Sequence, residues 1–139
     1  MTKRRSTLTG SWSGAFRYPD DAFPETVFNA QIEENIAGAF VGSVQEPNII
    51  RPHLSAIIDA TLEGAREGSA LNFIKYYNGN GGMGHLVTYD GVVDASFQRI
   101  DGKWSVPGSW SGTFFMERDD LGEEEAVEVK VEAPIQVRK

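Results

Sequence analysis

Short runs rich in Val, Ile, Phe, Tyr, Thr and Trp, with apolar and polar positions alternating, recur along the chain between glycines and turn-forming residues. A period of two marks strands buried on one face, and evenly spaced short strands mark an all-β sandwich or barrel. The pattern predicts eight strands, over Leu8 to Tyr18, Glu25 to Glu33, Ile36 to Val44, Leu54 to Glu63, Ala70 to Tyr77, His85 to Tyr89, Val93 to Ile100 and Trp104 to Glu117. Between them Glu34-Asn35 reads as a tight link, Asp90-Gly91 and Asp101-Gly102 as dipeptides suited to positive φ, and Asn78 to Gly84 as a glycine-rich hairpin tip. One run has two readings: Leu54, Ile57, Ile58, Thr61, Leu62 and Ala65 also fit a helical stripe. Gly64 and Gly68 around Arg66-Glu67 favour a strand and a hairpin turn there.

An internal echo suggests how the sheet ends. Gly10-Ser11-Trp12-Ser13-Gly14-Ala15-Phe16 returns as Gly108-Ser109-Trp110-Ser111-Gly112-Thr113-Phe114, near the two ends of the strand-rich region. Seven strand-to-strand steps over that interval take about 14 residues each, a normal length for a strand and its turn. First and last strands must pair when a sheet closes, so the expectation is a single closed antiparallel up-and-down β-barrel, with a sandwich as the alternative.

Alternation then assigns faces. An inward Trp12 carries Gly14, Phe16 and Tyr18 inward, and the last strand mirrors it with Trp110, Gly112, Phe114, Met116 and Arg118. Leu71, Phe73, Lys75 and Tyr77 share one face, and His85, Val87 and Tyr89 share another; both sets are largely aromatic and are assigned inward. The candidate ligand-binding residues are therefore Trp12, Phe16, Tyr18, Phe73, Lys75, Tyr77, His85, Tyr89, Trp110 and Phe114. An inward ammonium at Lys75 requires an anion, water or a ligand carboxylate. The bland alternatives are that Lys75 snorkels past a sheet edge, that the tyrosines pack with their hydroxyls at the rim, and that His85 merely ends a hairpin.

Leu8-Thr9-Gly10-Ser11-Trp12 and Trp110-Ser111-Gly112-Thr113-Phe114 resemble strands of the calycin barrels: lipocalins, fatty-acid-binding proteins and, above all, avidin-like proteins. The resemblance implies an eight-stranded barrel in which Trp12 closes one end beneath an arginine of the last strand, the place of Arg118. It does not carry biotin binding, because Gly14, Ala15 and Phe16 stand where an avidin-like protein has a polar anchor, leaving only Tyr18 as a donor.

Composition narrows the functions. The 139 residues, 40% hydrophobic, suit one domain over residues 7–118, with a disordered basic N-terminus over 1–6 and an acidic extension over 119–139. In that extension Ala126 to Val137 alternates valine with charge, as an added strand on the barrel or on a neighbouring subunit would, which makes a homo-oligomer an expectation. A net charge of −7 disfavours nucleic acid and anionic membranes, Lys3-Arg4-Arg5 being the local exception. With no cysteine and two histidines, neither a metal nor another cofactor is expected. The carboxylates Glu33, Glu34, Asp59, Glu63, Asp90 and Asp94 show no spacing that forces a catalytic pair together. A signal peptide and an apolar spanning segment are not expected, which gives a cytoplasmic address by default. Three functions follow: a barrel binding a small hydrophobic or anionic molecule, a lyase or isomerase using His85 or a lumen carboxylate, and a structural barrel filled by side chains.

Overall fold

The computed structural model describes residues 7–21, 23–49, 52–77 and 86–119. They form eight strands: β1 (Gly10–Arg17), β2 (Thr26–Glu34), β3 (Ala39–Pro47), β4 (Ile57–Glu67), β5 (Ala70–Tyr77), β6 (Leu86–Val93), β7 (Arg99–Ser105) and β8 (Ser111–Arg118). Each pairs antiparallel with the next, and β8 returns to β1, so the sheet is a closed up-and-down barrel. The run with two readings is strand from Ile57 onward, and the inward parity expected for β1, β5, β6 and β8 holds. Lys3-Arg4-Arg5, the glycine-rich tip from Asn78, His85 and the tail after Asp119 lie outside the described residues.

Closure explains the echoed motif. β1 and β8 are neighbours with Trp12 opposite Arg118, Gly14 opposite Met116 and Phe16 opposite Phe114. Gly14 and Gly112 sit where these strands approach most closely: a Cβ on Gly14 would collide with the Phe115 carbonyl and Met116, and one on Gly112 with the Arg17 carbonyl and the Trp104 indole. Each copy of the motif thus contributes the glycine that lets the other strand in.

Two turn expectations are corrected. Asp90-Gly91 and Asp101-Gly102 are not turns but face each other in mid-strand, Gly91 opposite Gly102. Neither glycine has positive φ; a Cβ on Gly102 would run into the Asp90 carbonyl, so glycine serves close approach there. β6 therefore runs on to Val93, and the residues expected to begin a seventh strand make the turn over 94–98. In that turn the Asp94 carboxylate accepts the amides of Gln98 and Arg99 (2.9 and 3.2 Å), and Phe97 adopts φ 59°.

The two ends of the barrel differ. At one end short turns join the strands, and residues 7–9 cross the opening as a strap. Leu8 and Trp12 are fully buried there, and the Trp12 indole N–H donates to the Leu8 carbonyl (2.8 Å). The Arg118 guanidinium lies 4.5 Å above the Trp12 ring and donates to the carbonyls of Thr9 (2.7 Å), Thr7 (2.6 Å) and Phe97 (2.9 Å). Glu34 accepts the Leu8 amide (2.7 Å) and pairs with Arg66 (2.7 Å), whose guanidinium covers Phe97 at 5.0 Å. This end is sealed. The opposite end carries the longer connections, among them those between β1 and β2, β3 and β4, and β7 and β8, and is here called the mouth.

Paired residues on adjacent antiparallel strands lie within disulfide reach. Ser13 faces Glu117, and Ser111 faces Ser105 on β7. With no native cysteine to interfere, Ser13→Cys/Glu117→Cys is expected to crosslink on mild oxidation, and Ser13→Cys/Ser111→Cys to stay reduced, as read by gel mobility; the reverse pattern would place β8 in another register.

Candidate functional site

The mouth-side half of the barrel holds a charged cluster. Lys75, inward on β5, places its ammonium 2.8 Å from the Glu46 carboxylate on β3, with the two side chains 2% and 3% exposed. Tyr77 donates its hydroxyl to the other Glu46 oxygen (3.0 Å). Aromatic faces surround the ammonium: Phe16 and Tyr77 each at 4.6 Å and Tyr89 at 5.4 Å. Burial would lower the Lys75 pKa, but Tyr89, Glu46 and Tyr77 outweigh it and hold the ammonium well above the ordinary lysine value. Burial also raises the phenols of Tyr77 and Tyr89, against the opposing pull of Lys75.

The partner that an inward lysine demands is thus a residue of the chain itself. Glu46 lies beyond Val44, the expected end of the third strand, because β3 runs on to Pro47. Continuing the alternation of Phe40, Gly42 and Val44 by one step turns Glu46 inward, which was the available signal.

Above this cluster lies an aromatic funnel. Its floor is borne by strands: Phe16 on β1 and Trp104 on β7, 6.1 Å apart and edge-on, with the Trp104 indole N–H donating to the Arg17 carbonyl (3.0 Å). Its cover is borne by loops: Tyr18 and Phe23 from the β1–β2 connection and Trp110 from the β7–β8 turn. Tyr18 packs on Phe16 (5.6 Å), Trp104 (5.6 Å), Trp110 (5.0 Å) and Phe23 (5.2 Å). Burial raises the Tyr18 phenol, opposed by a hydrogen bond from Thr26. Trp104 and Phe23 were absent from the expected lining. Trp104 alternates with Ile100 and Gly102 on β7 and was legible in that period, whereas Phe23 lies in a loop, where no periodicity applies.

Of the expected residues, the structure gathers Phe16, Tyr18, Lys75, Tyr77, Tyr89 and Trp110 into this half of the barrel. Phe73 and Phe114 lie just below, Phe73 stacked on Tyr89 (4.6 Å, 8° between planes) and Phe114 edge-on to Tyr89 at 5.0 Å. Two placements change. Trp12 belongs to the sealed end, away from Lys75. Trp110 precedes β8, since the Val106 to Trp110 turn takes it into the cover. Among the described residues, about 10 Å³ remains open between Phe28, Leu62, Phe73 and Lys75, and about 20 Å³ between Phe16, Tyr18, Tyr77 and Trp110. The first volume is at most that of one water.

These features define a closed eight-stranded antiparallel β-barrel, sealed at one end and capped by loop-borne aromatics at the other. No protein-family model matches the chain, and no curated protein matches it. Among solved structures it is similar to a redesigned β-barrel, with a TM-score of 0.63 at 13% identity over 81% of this chain and 91% of that one. It is also similar to a de novo designed fluorescence-activating β-barrel, with a TM-score of 0.57 at 10% identity over 80% of this chain and 93% of that one. At these identities the likeness is one of fold.

Removing one member of a buried ion pair leaves the other uncompensated, at a cost of about 3–5 kcal/mol, whereas replacing both by apolar groups is often neutral or stabilising. Lys75→Met is therefore expected to lower denaturant stability by about that amount, and Lys75→Met/Glu46→Leu to recover most of it. Additive losses in the double variant would show that the pair is not coupled.

Alkaline stability follows from the same groups. Lys75 keeps its proton in the folded state beyond its ordinary value of 10.5, and Tyr18, Tyr77 and Tyr89 keep theirs beyond 10.0. In each case the unfolded chain loses the proton first, so the stabilisation is full below about pH 10 and declines as pH rises through the folded values. A spectrophotometric titration at the phenolate band is expected to show three of the four tyrosines ionising late and together with unfolding; early, independent ionisation of all four would contradict the buried cluster.

Proposed function

We propose that the protein is a small-molecule-binding β-barrel whose ligand enters at the mouth and lodges between the cover of Tyr18, Phe23 and Trp110 and the floor of Phe16 and Trp104. The observation that carries this reading is the division of labour between the two layers. The floor is fixed by the sheet, while the cover rides on connections that can move without breaking the ladder. A buried ion pair beneath the funnel is also a poor choice for stability alone, which favours a role in recognition. Trp12 beneath Arg118 is the arrangement that the calycin resemblance implies, and it supports kinship with that group of ligand-binding barrels. One structural neighbour is a fluorescence-activating barrel, and fluorescence activation is a property compatible with a ligand held inside such a fold.

The small voids among the described residues, about 10 and 20 Å³, favour a second reading, a scaffold barrel with no ligand, and the following measurements separate the two. Nile red, a neutral environment-sensitive dye, is expected to bind at one per barrel with blue-shifted emission. Trp110→Ala, which removes a covering ring, is expected to weaken it about tenfold. Native mass spectrometry of freshly purified protein is expected to show a retained small molecule. No saturable dye binding and no retained mass would leave the scaffold reading.

A further inference from the structure

We propose that a groove on the outer wall at the sealed end is the docking site of the chain's own basic arm, Lys3-Arg4-Arg5, which latches the strap from outside. The groove, about 440 Å³, is lined by Thr9 of the strap, Glu33 and Glu34 at the end of β2, and Ala39, Phe40 and Val41 at the start of β3. Val41 points outward there and is 52% exposed, an apolar side chain with no cover among the described residues. The strand register sets it between two carboxylates, since it faces Glu33 on β2 and Glu63 on β4, both exposed. Adjacent strands lie about 4.8 Å apart, so the two glutamates are rooted about 10 Å apart with the valine between them.

Charge on this wall selects the occupant. The charged side chains with outward parity on β2, β3 and β4 are all carboxylates: Glu33, Asp59, Glu63 and Glu67. The one cation on these strands, Arg66, has inward parity and pairs with Glu34 (2.7 Å). Such a wall repels the acidic extension with its Glu123-Glu124-Glu125 and attracts a run of opposite sign. Lys3-Arg4-Arg5 is the only block of three cations in the sequence. It also stands at the right place in the chain. The Leu8 amide donates to Glu34 (2.7 Å) and the Glu34 amide donates to the Thr9 hydroxyl (3.0 Å), so the described chain begins at the lip of the groove. From Thr7 the arm lies two to four residues upstream, a reach of about 7–14 Å, which matches the step from the strap to Glu33 and Glu63. Long basic side chains suit the groove on both counts, because their stems lie along an apolar surface such as Val41 while their heads meet the carboxylates.

The test places a nitroxide on Thr2→Cys in the full chain, which has no cysteine of its own, and reads paramagnetic broadening of the backbone amide signals. At low salt the signals of Glu33, Val41 and Glu63 are expected to be lost, while that of Asp101 on β7, four strands away around the ring, persists. At about 1 M salt, where the screening length is about 3 Å, the lost signals are expected to return. Glu33→Gln/Glu63→Gln, two exposed substitutions, is expected to restore them at low salt as well. Broadening that persists in this variant or at high salt would overturn the electrostatic latch. Broadening centred on Asp119 would assign the arm to the acidic extension instead, and uniform broadening would show that it docks nowhere; either overturns the proposal. A mixture of spin-labelled chain without isotope and isotope-labelled chain without nitroxide is expected to show no loss. The same losses in that mixture would give the groove to the arm of a second copy and overturn the intramolecular latch.

Discussion

The stacking of Arg118 on Trp12 is the contact on which the rest of the barrel depends. An up-and-down sheet closes only if its last strand meets its first in a single register, and nothing in the chain between them enforces that meeting. Arg118 is held over the Trp12 ring, and its donors reach the carbonyls of Thr7 and Thr9 in the strap and of Phe97 in the β6–β7 turn, two segments far apart in sequence. A guanidinium suits this position, since its planar fork satisfies several carbonyls at once while its face lies on the indole. The strap over Leu8, the left-handed Phe97 and the β1–β8 register are all fixed by the same group.

At the other end the logic is reversed. Polar groups there are gathered deep, and Lys75, Glu46, Tyr77 and Tyr89 satisfy one another away from solvent, while the outermost rings above them, Tyr18, Phe23 and Trp110, belong to connections. One end is built for closure by hydrogen bonds that sequence neighbours could not supply. The other presents aromatic faces stacked on aromatic faces, contacts that reform readily in more than one arrangement because they are less directional than a three-carbonyl clasp.

Much of this was legible in the sequence. Alternation gave the strands and their inward faces, and the paired Trp-Ser-Gly motifs gave closure, because both are consequences of a period of two repeated around a ring. Failure came where glycine had more than one reason to be present. Asp90-Gly91 and Asp101-Gly102 have the composition of turns, but these glycines serve strand-to-strand proximity, a long-range demand that no local window contains. The partner of Lys75, Glu46, lies one alternation beyond Val44, the expected end of the third strand. The separation of Trp12 from Lys75 into opposite ends was hidden for another reason: parity says which side chains point inward but not at what depth along the barrel they lie.

The clasp has a topological consequence. Because Arg118 bonds to the Thr7 carbonyl and the Asp119 amide donates to the Ser11 carbonyl (2.9 Å), the two ends of the described chain emerge side by side at the sealed end. The barrel is then a ring of hairpins in which the starting strand is arbitrary. A circular permutant that links residue 119 to residue 7 and opens at the Gly68-Ser69 turn would keep every strand neighbour it now has, and would carry its new termini at that same sealed face, leaving the aromatic end unobstructed.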